Sequence, residues 1–193
     1  MNHKRKAVIA GLVIMVLCLT SCKGGQKEEN PYGPKVGELG DEEAYAFLDM
    51  DYKDYVMVSS DGLYDTGTER QGAIYCTVYY YGNDEIVSLG TIMSDGTAYP
   101  ISFSKDGIFA ASGHHIEKYG ISEKDMELYL KKGVYIEYDE NGNEHYTAVT
   151  DGEKTESNEE EYQKMTEEYG ESQVIHFSYG ADGCVNEIME YES

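Results

Sequence analysis

The chain lacks tryptophan, has few basic residues, and has no apolar segment long enough to cross a membrane as a helix. Its most extended apolar segment, Ala7 to Leu19, has 13 residues, whereas a transmembrane helix needs roughly 20. Lys and Arg number 15 against 37 Asp and Glu, which gives a formal net charge of −22. Because so acidic a surface repels nucleic acid and anionic lipid headgroups, we expect no nucleic-acid partner.

Several catalytic signatures are also missing from the sequence. It contains no G-x-S-x-G nucleophile motif, no glycine-rich phosphate loop and no metalloprotease helix motif. Each of these motifs holds a nucleophile, a row of backbone donors or a pair of metal ligands where its reaction needs them. We therefore expect no cofactor and favour a function without catalysis.

The first 22 residues have the pattern of an export signal. A basic segment, Lys4-Arg5-Lys6, precedes the apolar segment, which ends in Leu19-Thr20-Ser21-Cys22. A positive start, a short apolar middle and a small-residue end are typical of secretory signal peptides. The last four residues resemble the lipobox of bacterial lipoproteins. That resemblance implies diacylglyceryl transfer to the Cys22 thiol and cleavage after Ser21.

This interpretation divides the chain into three parts. Residues 1–21 are the predicted signal peptide, residues 22–37 a lipidated tether, and residues 38–193 a single globular domain. Cleavage removes three basic residues and no acid, so the mature net charge is −25. We expect the protein on the extracytoplasmic face of the cell membrane, with the membrane as its partner through the N-terminal lipid.

Residues 38–193 have the pattern of an antiparallel β domain. Short apolar, aromatic and β-branched runs indicate strands; the clearest are 44–48, 55–58, 73–81, 86–93, 99–103, 108–111, 116–119, 134–138 and 146–149. Turn-forming glycine pairs punctuate them: Asp61-Gly62, Asp95-Gly96, Asp106-Gly107, Asn141-Gly142, Asp151-Gly152 and Asp182-Gly183. We predict a mainly β (α+β) fold with antiparallel meanders, arranged as a sandwich or as partial propeller-like sheets.

One helix is predicted at about residues 157–169, packed on a face of the sheet. Ser157 and Glu160 have the spacing of a capping box, and Gly170 is a natural stop. Two other segments are less clear. Residues 122–130 could begin a helix at Ser122, but the alternation of their apolar residues favours a strand. Residues 174–179 indicate a last strand or a docked tail.

Cys76 and Cys184 are the cysteines that remain after the signal segment. In an exported chain they could pair, and a disulfide closing so long a loop would stabilise the fold by about 2–4 kcal/mol. Cys76 falls in a predicted strand and Cys184 beside a predicted turn. Because spacing alone cannot establish pairing, free thiols are the alternative.

Asp49, Asp51 and Asp54 are weak candidates for a calcium loop. The segment from Ala44 to Met57 resembles a degenerate FG-GAP or VCBS repeat, whose closely spaced carboxylates converge on calcium. That resemblance implies a propeller-like blade with calcium at these aspartates. Lys53 stands where the third acidic residue belongs, so a solvated acidic turn is the alternative.

Two further groups are candidate binding residues. Tyr79 and Tyr81 fall on one face of the strand at residues 73–81, where their rings could stack on sugars or anchor a partner. The alternative is the ordinary preference of strands for aromatic residues. His114 and His115 are adjacent, so on a strand they point to opposite faces and cannot readily share a metal.

The wider pattern resembles lipoproteins of Gram-positive gut bacteria. The similarity lies in Ala44–Asp49, Gly96–Pro100 and Gly107–His114, and it implies an exported β-rich domain. We predict a cell-surface lipoprotein that binds a glycan, peptide or protein without catalysis. One alternative is a lipid-tethered hydrolase that uses His114 or His115 with nearby acids. Another is an accessory protein of envelope assembly or secretion.

Overall fold

The structure is a computed structural model, and it describes residues 30–67, 70–180 and 184–187. Over these residues the chain is mainly β, with antiparallel sheets and one long C-terminal helix, as predicted. The helices are α1 (Gly33–Glu38) and α2 (Glu159–Glu171). The strands are β1 (Ala44–Leu48), β2 (Val56–Ser60), β3 (Leu63–Asp65), β4 (Gln71–Ala73), β5 (Tyr75–Gly82), β6 (Glu85–Met93), β7 (Ser102–Ser104), β8 (Gly107–Ala111), β9 (His115–Ser122), β10 (Glu127–Tyr138), β11 (Glu144–Thr150), β12 (Glu153–Glu156), β13 (Gln173–Val174) and β14 (Cys184–Asn186).

The strands form two main sheets and a small hairpin. The first sheet has the order β14-β1-β2-β5-β6, and the second has the order β12-β11-β10-β9-β8-β7-β13. The hairpin pairs β3 with β4. All neighbours are antiparallel except β1 and β14, which run parallel. Most connections join adjacent strands, which is the meander that the short strand spacing predicts.

The main core lies between the two sheets. Ala46, Val58 and Val78 are aligned across three strands of the first sheet and are fully buried. They belong to the same core cluster as Ile108 and Ala110 of the second sheet. Two facing sheets with a shared apolar interior correspond to the sandwich alternative of the predicted fold.

Each sheet is also covered on its outer face. On the first sheet, Phe47 and Met57 pack with Tyr32 and Val36 of the N-terminal segment. On the second sheet, Met165 of α2 is fully buried in a cluster of small and apolar strand residues: Phe109, Ala111, Ile116, Val134 and Ala148. The molecule therefore has four layers, in the order N-terminal segment, first sheet, second sheet and α2.

The predicted turns lie between strands. Asp151 and Gly152 form the two-residue turn between β11 and β12, with φ angles of 49° and 83°. Both angles are in the left-handed region that such a turn requires. Gly142, in the turn between β10 and β11, has a φ of 82°. The pair Asp182-Gly183 lies outside the described residues.

The predicted helix is present, but it begins and ends two residues later in the chain than predicted. α2 begins after Asn158, whose side chain accepts a hydrogen bond from the Glu161 backbone N–H at 3.0 Å. Asparagine caps a helix at least as well as serine, so it takes the position predicted for Ser157. Ser157 instead donates to the Glu161 carboxylate at 2.8 Å. The helix also continues through Gly170 and is capped at Ser172.

Two further segments differ from the prediction. The tether was predicted to reach residue 37, but the described chain packs on the domain from its first residues, because Tyr32 is buried beneath the first sheet. Residues 122–130, for which a strand was favoured, contain the end of β9, a turn at 123–126 and the start of β10. Ser122 does make a capping contact within this turn, because its hydroxyl oxygen accepts the Asp125 backbone N–H at 3.3 Å.

Cys76 carries a free thiol and is fully buried in β5. Cys184 pairs with Ala46 in the strand register, and Ala46 is two strands from Val78 of β5. Strands lie about 4.8 Å apart, so roughly 14 Å separates the strand of Cys184 from that of Cys76. A disulfide requires Cα atoms less than about 7 Å apart. Cys76 and Cys184 are therefore not paired in this structure.

The predicted signal segment and Cys22 lie outside the described residues. Within the described ranges, neither helix has the length and apolar character that crossing a membrane would need.

Candidate functional site

The outer face of the second sheet continues beyond the N-terminal end of α2. Val134 and Ala148 are paired across β10 and β11 and pack under the helix. The next pairs in the same register are Ile136 with Tyr146, and Tyr138 with Glu144. Because side chains alternate between faces along a strand, these pairs lie on the helix side of the sheet, beside the first turn of α2.

Four rings gather there, and we call the surface of His114, Tyr138, Tyr146 and Tyr162 the aromatic face. The His114 and Tyr138 rings are 5.7 Å apart at 86°, and the Tyr146 and Tyr162 rings are 6.1 Å apart at 61°. Both geometries are edge-to-face contacts, which aromatic pairs favour. Tyr138 is 53 % exposed, so the face is open to solvent.

Glu144 fixes two of these rings. Its Oε1 accepts a hydrogen bond from the Tyr138 hydroxyl at 3.3 Å, and its Oε2 accepts one from the Tyr146 hydroxyl. The Tyr162 hydroxyl donates to the carbonyl oxygen of Gly113 at 3.4 Å. The rings are thus held in place before any ligand arrives, which lowers the entropy lost on binding.

The same carboxylate keeps the phenols protonated. Partial desolvation and the charge of Glu144 raise the pKa of Tyr138 above its ordinary value. The hydrogen bond to Glu144, with partial desolvation, raises the pKa of Tyr146 to about 12. Neither phenol is therefore a general base at neutral pH. Tyr138 and Tyr146 thus present protonated phenol rings beside a carboxylate.

Tyr79 and Tyr81 do not form the open surface that the sequence predicted. They lie on the outer face of the first sheet, but residues 32–39 cover that face. Tyr79 is only 8 % exposed, and the ammonium of Lys35 lies 5.0 Å from its ring centre. Tyr81 is partly buried, and its backbone N–H donates to the Tyr32 hydroxyl at 2.9 Å. Stacking of a sugar on Tyr79 is therefore excluded by the covering segment.

His114 and His115 have different environments. His114 is exposed and belongs to the aromatic face, whereas Nδ1 of His115 lies 2.8 Å from the Ser112 hydroxyl. That hydroxyl oxygen also accepts the backbone N–H groups of His114 and His115 at 3.0 and 3.1 Å. Because a hydroxyl oxygen has two lone pairs, its own proton is the one donated to Nδ1. Ser112 is thus a buried residue whose hydroxyl holds this turn.

The three aspartates of the predicted calcium loop do not converge. Asp49 pairs with the ammonium of Lys105 at 3.3 Å, Asp51 is exposed, and Asp54 lines a separate cleft. Among the described residues, no group of three or more His, Cys, Asp or Glu side chains could hold a metal ion. The geometry therefore gives no support to a calcium site here.

The cleft beside Asp54 has a volume of about 550 Å³ and lies at one end of the sandwich. Oε1 of Glu123 accepts the hydroxyl of Tyr80 and, at 3.3 Å, the backbone N–H of Lys53. Tyr80 is buried, and its burial strongly raises its pKa. Because Glu123 follows β9 and Tyr80 lies in β5, these bonds join the two sheets. We read this cleft as a structural junction.

Three residues of the aromatic face were not singled out from the sequence. Tyr138, Tyr146 and Tyr162 are separated along the chain, and only the pairing of β10 with β11 and the docking of α2 bring them together. The available signal was the Asn141-Gly142 turn. Counting outward from that turn in steps of two places Tyr138, Ile136 and Val134 on one face.

Comparison of the chain with protein-family models, curated proteins and solved structures found no match.

Proposed function

We propose that this protein is a non-catalytic binding domain that a lipid on Cys22 holds at the extracytoplasmic face of the cell membrane. In this proposal the aromatic face is the binding surface. The observation that carries it is the set of preoriented rings at the N-terminal end of α2, of which His114 is exposed and Tyr138 is 53 % exposed. Exposed aromatic rings that are already held in place are typical of ligand-binding surfaces.

The chemistry of the face favours recognition over reaction. Its phenols are protonated and hydrogen-bonded to Glu144. The nearby serine–histidine pair, Ser112 and His115, is occupied in holding a turn. Rings of this kind provide flat apolar area for the CH groups of a sugar or for the side chains of a peptide. A glycan, a peptide or a protein segment is the corresponding ligand.

The position of the N-terminal segment fits an anchor before residue 30. That segment packs on the outer face of the first sheet, and the aromatic face is on the outer side of the second sheet. Seven residues lie between Cys22 and Asn30, so the two can be at most about 28 Å apart. A lipid at Cys22 would keep the domain close to the membrane and leave the aromatic face on the far side.

Binding is tested with residues 23–193 on glycan and peptide arrays. We expect one class of ligand to bind the unaltered chain and to be lost when Tyr138→Ala and Tyr146→Ala are combined. Tyr55→Ala is the matched control, because Tyr55 is 47 % exposed and lies at the first sheet. The aromatic face would be rejected as the binding surface if Tyr55→Ala weakened ligand binding as much as the double variant does. It would also be rejected if the double variant still bound the ligand.

The anchor is tested separately in the full chain expressed in a Gram-positive host. Mass spectrometry should find an acylated Cys22 as the first residue, and Cys22→Ala should release the protein from the membrane fraction. An intact Met1 with an unmodified Cys22 would refute the lipoprotein assignment.

A further inference from the structure

The aromatic face carries negative charge from two glutamates. Glu144 lies between Tyr138 and Tyr146 and accepts hydrogen bonds from both hydroxyls. Glu159, at the start of α2, contributes further negative charge near Tyr146. Within the described ranges, no lysine or arginine forms an ion pair with Glu144. A ring surface with an uncompensated carboxylate at its centre attracts cations.

Elsewhere the chain supplies its own ammonium group to such a surface. Lys118 lies 5.1 Å from the ring centre of Phe109 and pairs with Asp106 at 2.8 Å and with Glu168 at 3.5 Å. That site combines a ring, an ammonium group and carboxylates, which is the arrangement of a cation–π contact. The aromatic face has the rings and the carboxylate of such a site, and among the described residues no lysine ammonium lies over its rings.

We propose that the ligand of the aromatic face is a lysine-rich segment of a partner protein, whose ammonium group contacts the Tyr138 and Tyr146 rings beside Glu144. This inference rests on the proposed binding function and names its ligand class. Charge complementarity selects the occupant. A chain with a net charge of −22 steers cationic segments towards it, whereas an uncharged glycan gains nothing from that field.

Isothermal titration calorimetry of residues 23–193 tests the proposal with three probes. They are a peptide of alternating lysine and serine, the same peptide with every lysine acetylated, and the uncharged glycan cellohexaose. We expect the lysine peptide to bind, and acetylation to weaken its binding by about tenfold or more, because acetylation removes the charge on which a cation–π contact depends. Added salt should weaken binding of the lysine peptide.

Glu144→Gln separates a local contact from the attraction of an acidic protein in general. A glutamine side chain still accepts a hydrogen bond from a phenol but has no charge, so we expect about tenfold weaker binding of the lysine peptide. Glu85→Gln is the matched control, because it changes the net charge equally at an exposed position of the first sheet. It should change the affinity less than about twofold, since exposed charges are screened beyond roughly 10 Å. Circular dichroism verifies that both variants are folded.

The outcomes distinguish this inference from the proposed function. If Glu85→Gln weakens binding as much as Glu144→Gln, or if the lysine peptide does not bind, the lysine-rich ligand is refuted. If cellohexaose binds and the combined Tyr138→Ala and Tyr146→Ala substitutions abolish its binding, the binding function stands and its ligand is a glycan. If the lysine peptide binds but is unaffected by the two tyrosine substitutions, the lysine-rich ligand is refuted; both proposals fail only if the combined tyrosine variant also retains the ligand found on the arrays.

Discussion

The hydroxyl of Tyr32 donates a hydrogen bond to the carbonyl oxygen of Tyr55 at 2.5 Å, across 23 residues of sequence. The same oxygen accepts the backbone N–H of Tyr81 at 2.9 Å. Tyr32 is 1 % exposed, and burial raises its pKa strongly, so the phenol stays protonated. One buried side chain thus ties the N-terminal segment to two strands of the first sheet.

We expect Tyr32→Phe to lower the free energy of unfolding by about 2 kcal/mol. The substitution keeps the ring and leaves the Tyr55 carbonyl and the Tyr81 N–H without their shared partner, and an unsatisfied buried polar group costs about 1–3 kcal/mol. Urea denaturation followed by circular dichroism measures the change.

Tyr138→Phe is the matched control, because it removes an exposed hydroxyl and should change stability by less than about 0.5 kcal/mol. Equal stabilities of Tyr32→Phe and the unaltered chain would show that the N-terminal segment does not depend on this hydrogen bond.

Local pattern was sufficient to predict the strands and many of the turns. Tyr79 and Tyr81 were predicted on one face of their strand, which places Cys76, Val78 and Tyr80 on the other, and these three are buried in the core between the sheets. The Asp151-Gly152 pair was predicted as a turn and has the backbone of one. These features depend on neighbouring residues alone, through alternation and through the φ angles that glycine permits.

Features that depend on distant contacts could not be predicted. Tyr79 was placed on the correct face of its strand. The segment that buries it, residues 32–39, lies about 40 residues earlier and has the composition of a polar linker. The aromatic face likewise depends on how far α2 extends over the second sheet, which it covers only as far as Tyr162. Sequence periodicity specifies which residues share a face and leaves open what covers it.

We expect Ser112→Ala to lower stability by about 1–3 kcal/mol, because it removes the acceptor of two backbone N–H groups at a buried position. Nitrogen NMR should also show His115 in the tautomer with the proton on Nε2 before the substitution and a mixture of tautomers after it. Ser88→Ala, at an exposed position of β6, is the control and should have little effect. An unchanged stability would mean that Ser112 does not hold this turn.

Cys76 should be unreactive in the folded protein. It is fully buried, and burial raises the pKa of its thiol to about 12, so almost no thiolate is available to react. In residues 23–193 carrying Cys184→Ser, we expect no labelling by iodoacetamide in buffer and complete labelling in concentrated guanidinium. Rapid labelling of the native protein would contradict the buried position of Cys76.

His176 should make the fold less stable in mild acid. Burial, followed by the charge of Arg70, lowers the pKa of His176 from its ordinary value of 6.5, and within the described residues its buried Nδ1 has no hydrogen-bond partner. In the unfolded chain His176 therefore binds a proton more readily than in the folded chain. Its contribution to the free energy of unfolding is constant above about pH 6.5 and falls as the pH drops from there towards the lowered pKa.

Urea denaturation at intervals between about pH 7.5 and 5 measures this dependence. We expect His176→Gln to flatten the curve below about pH 6.5, because glutamine does not titrate. A curve that stays equally steep after His176→Gln would assign the acid sensitivity to other groups, such as the carboxylates.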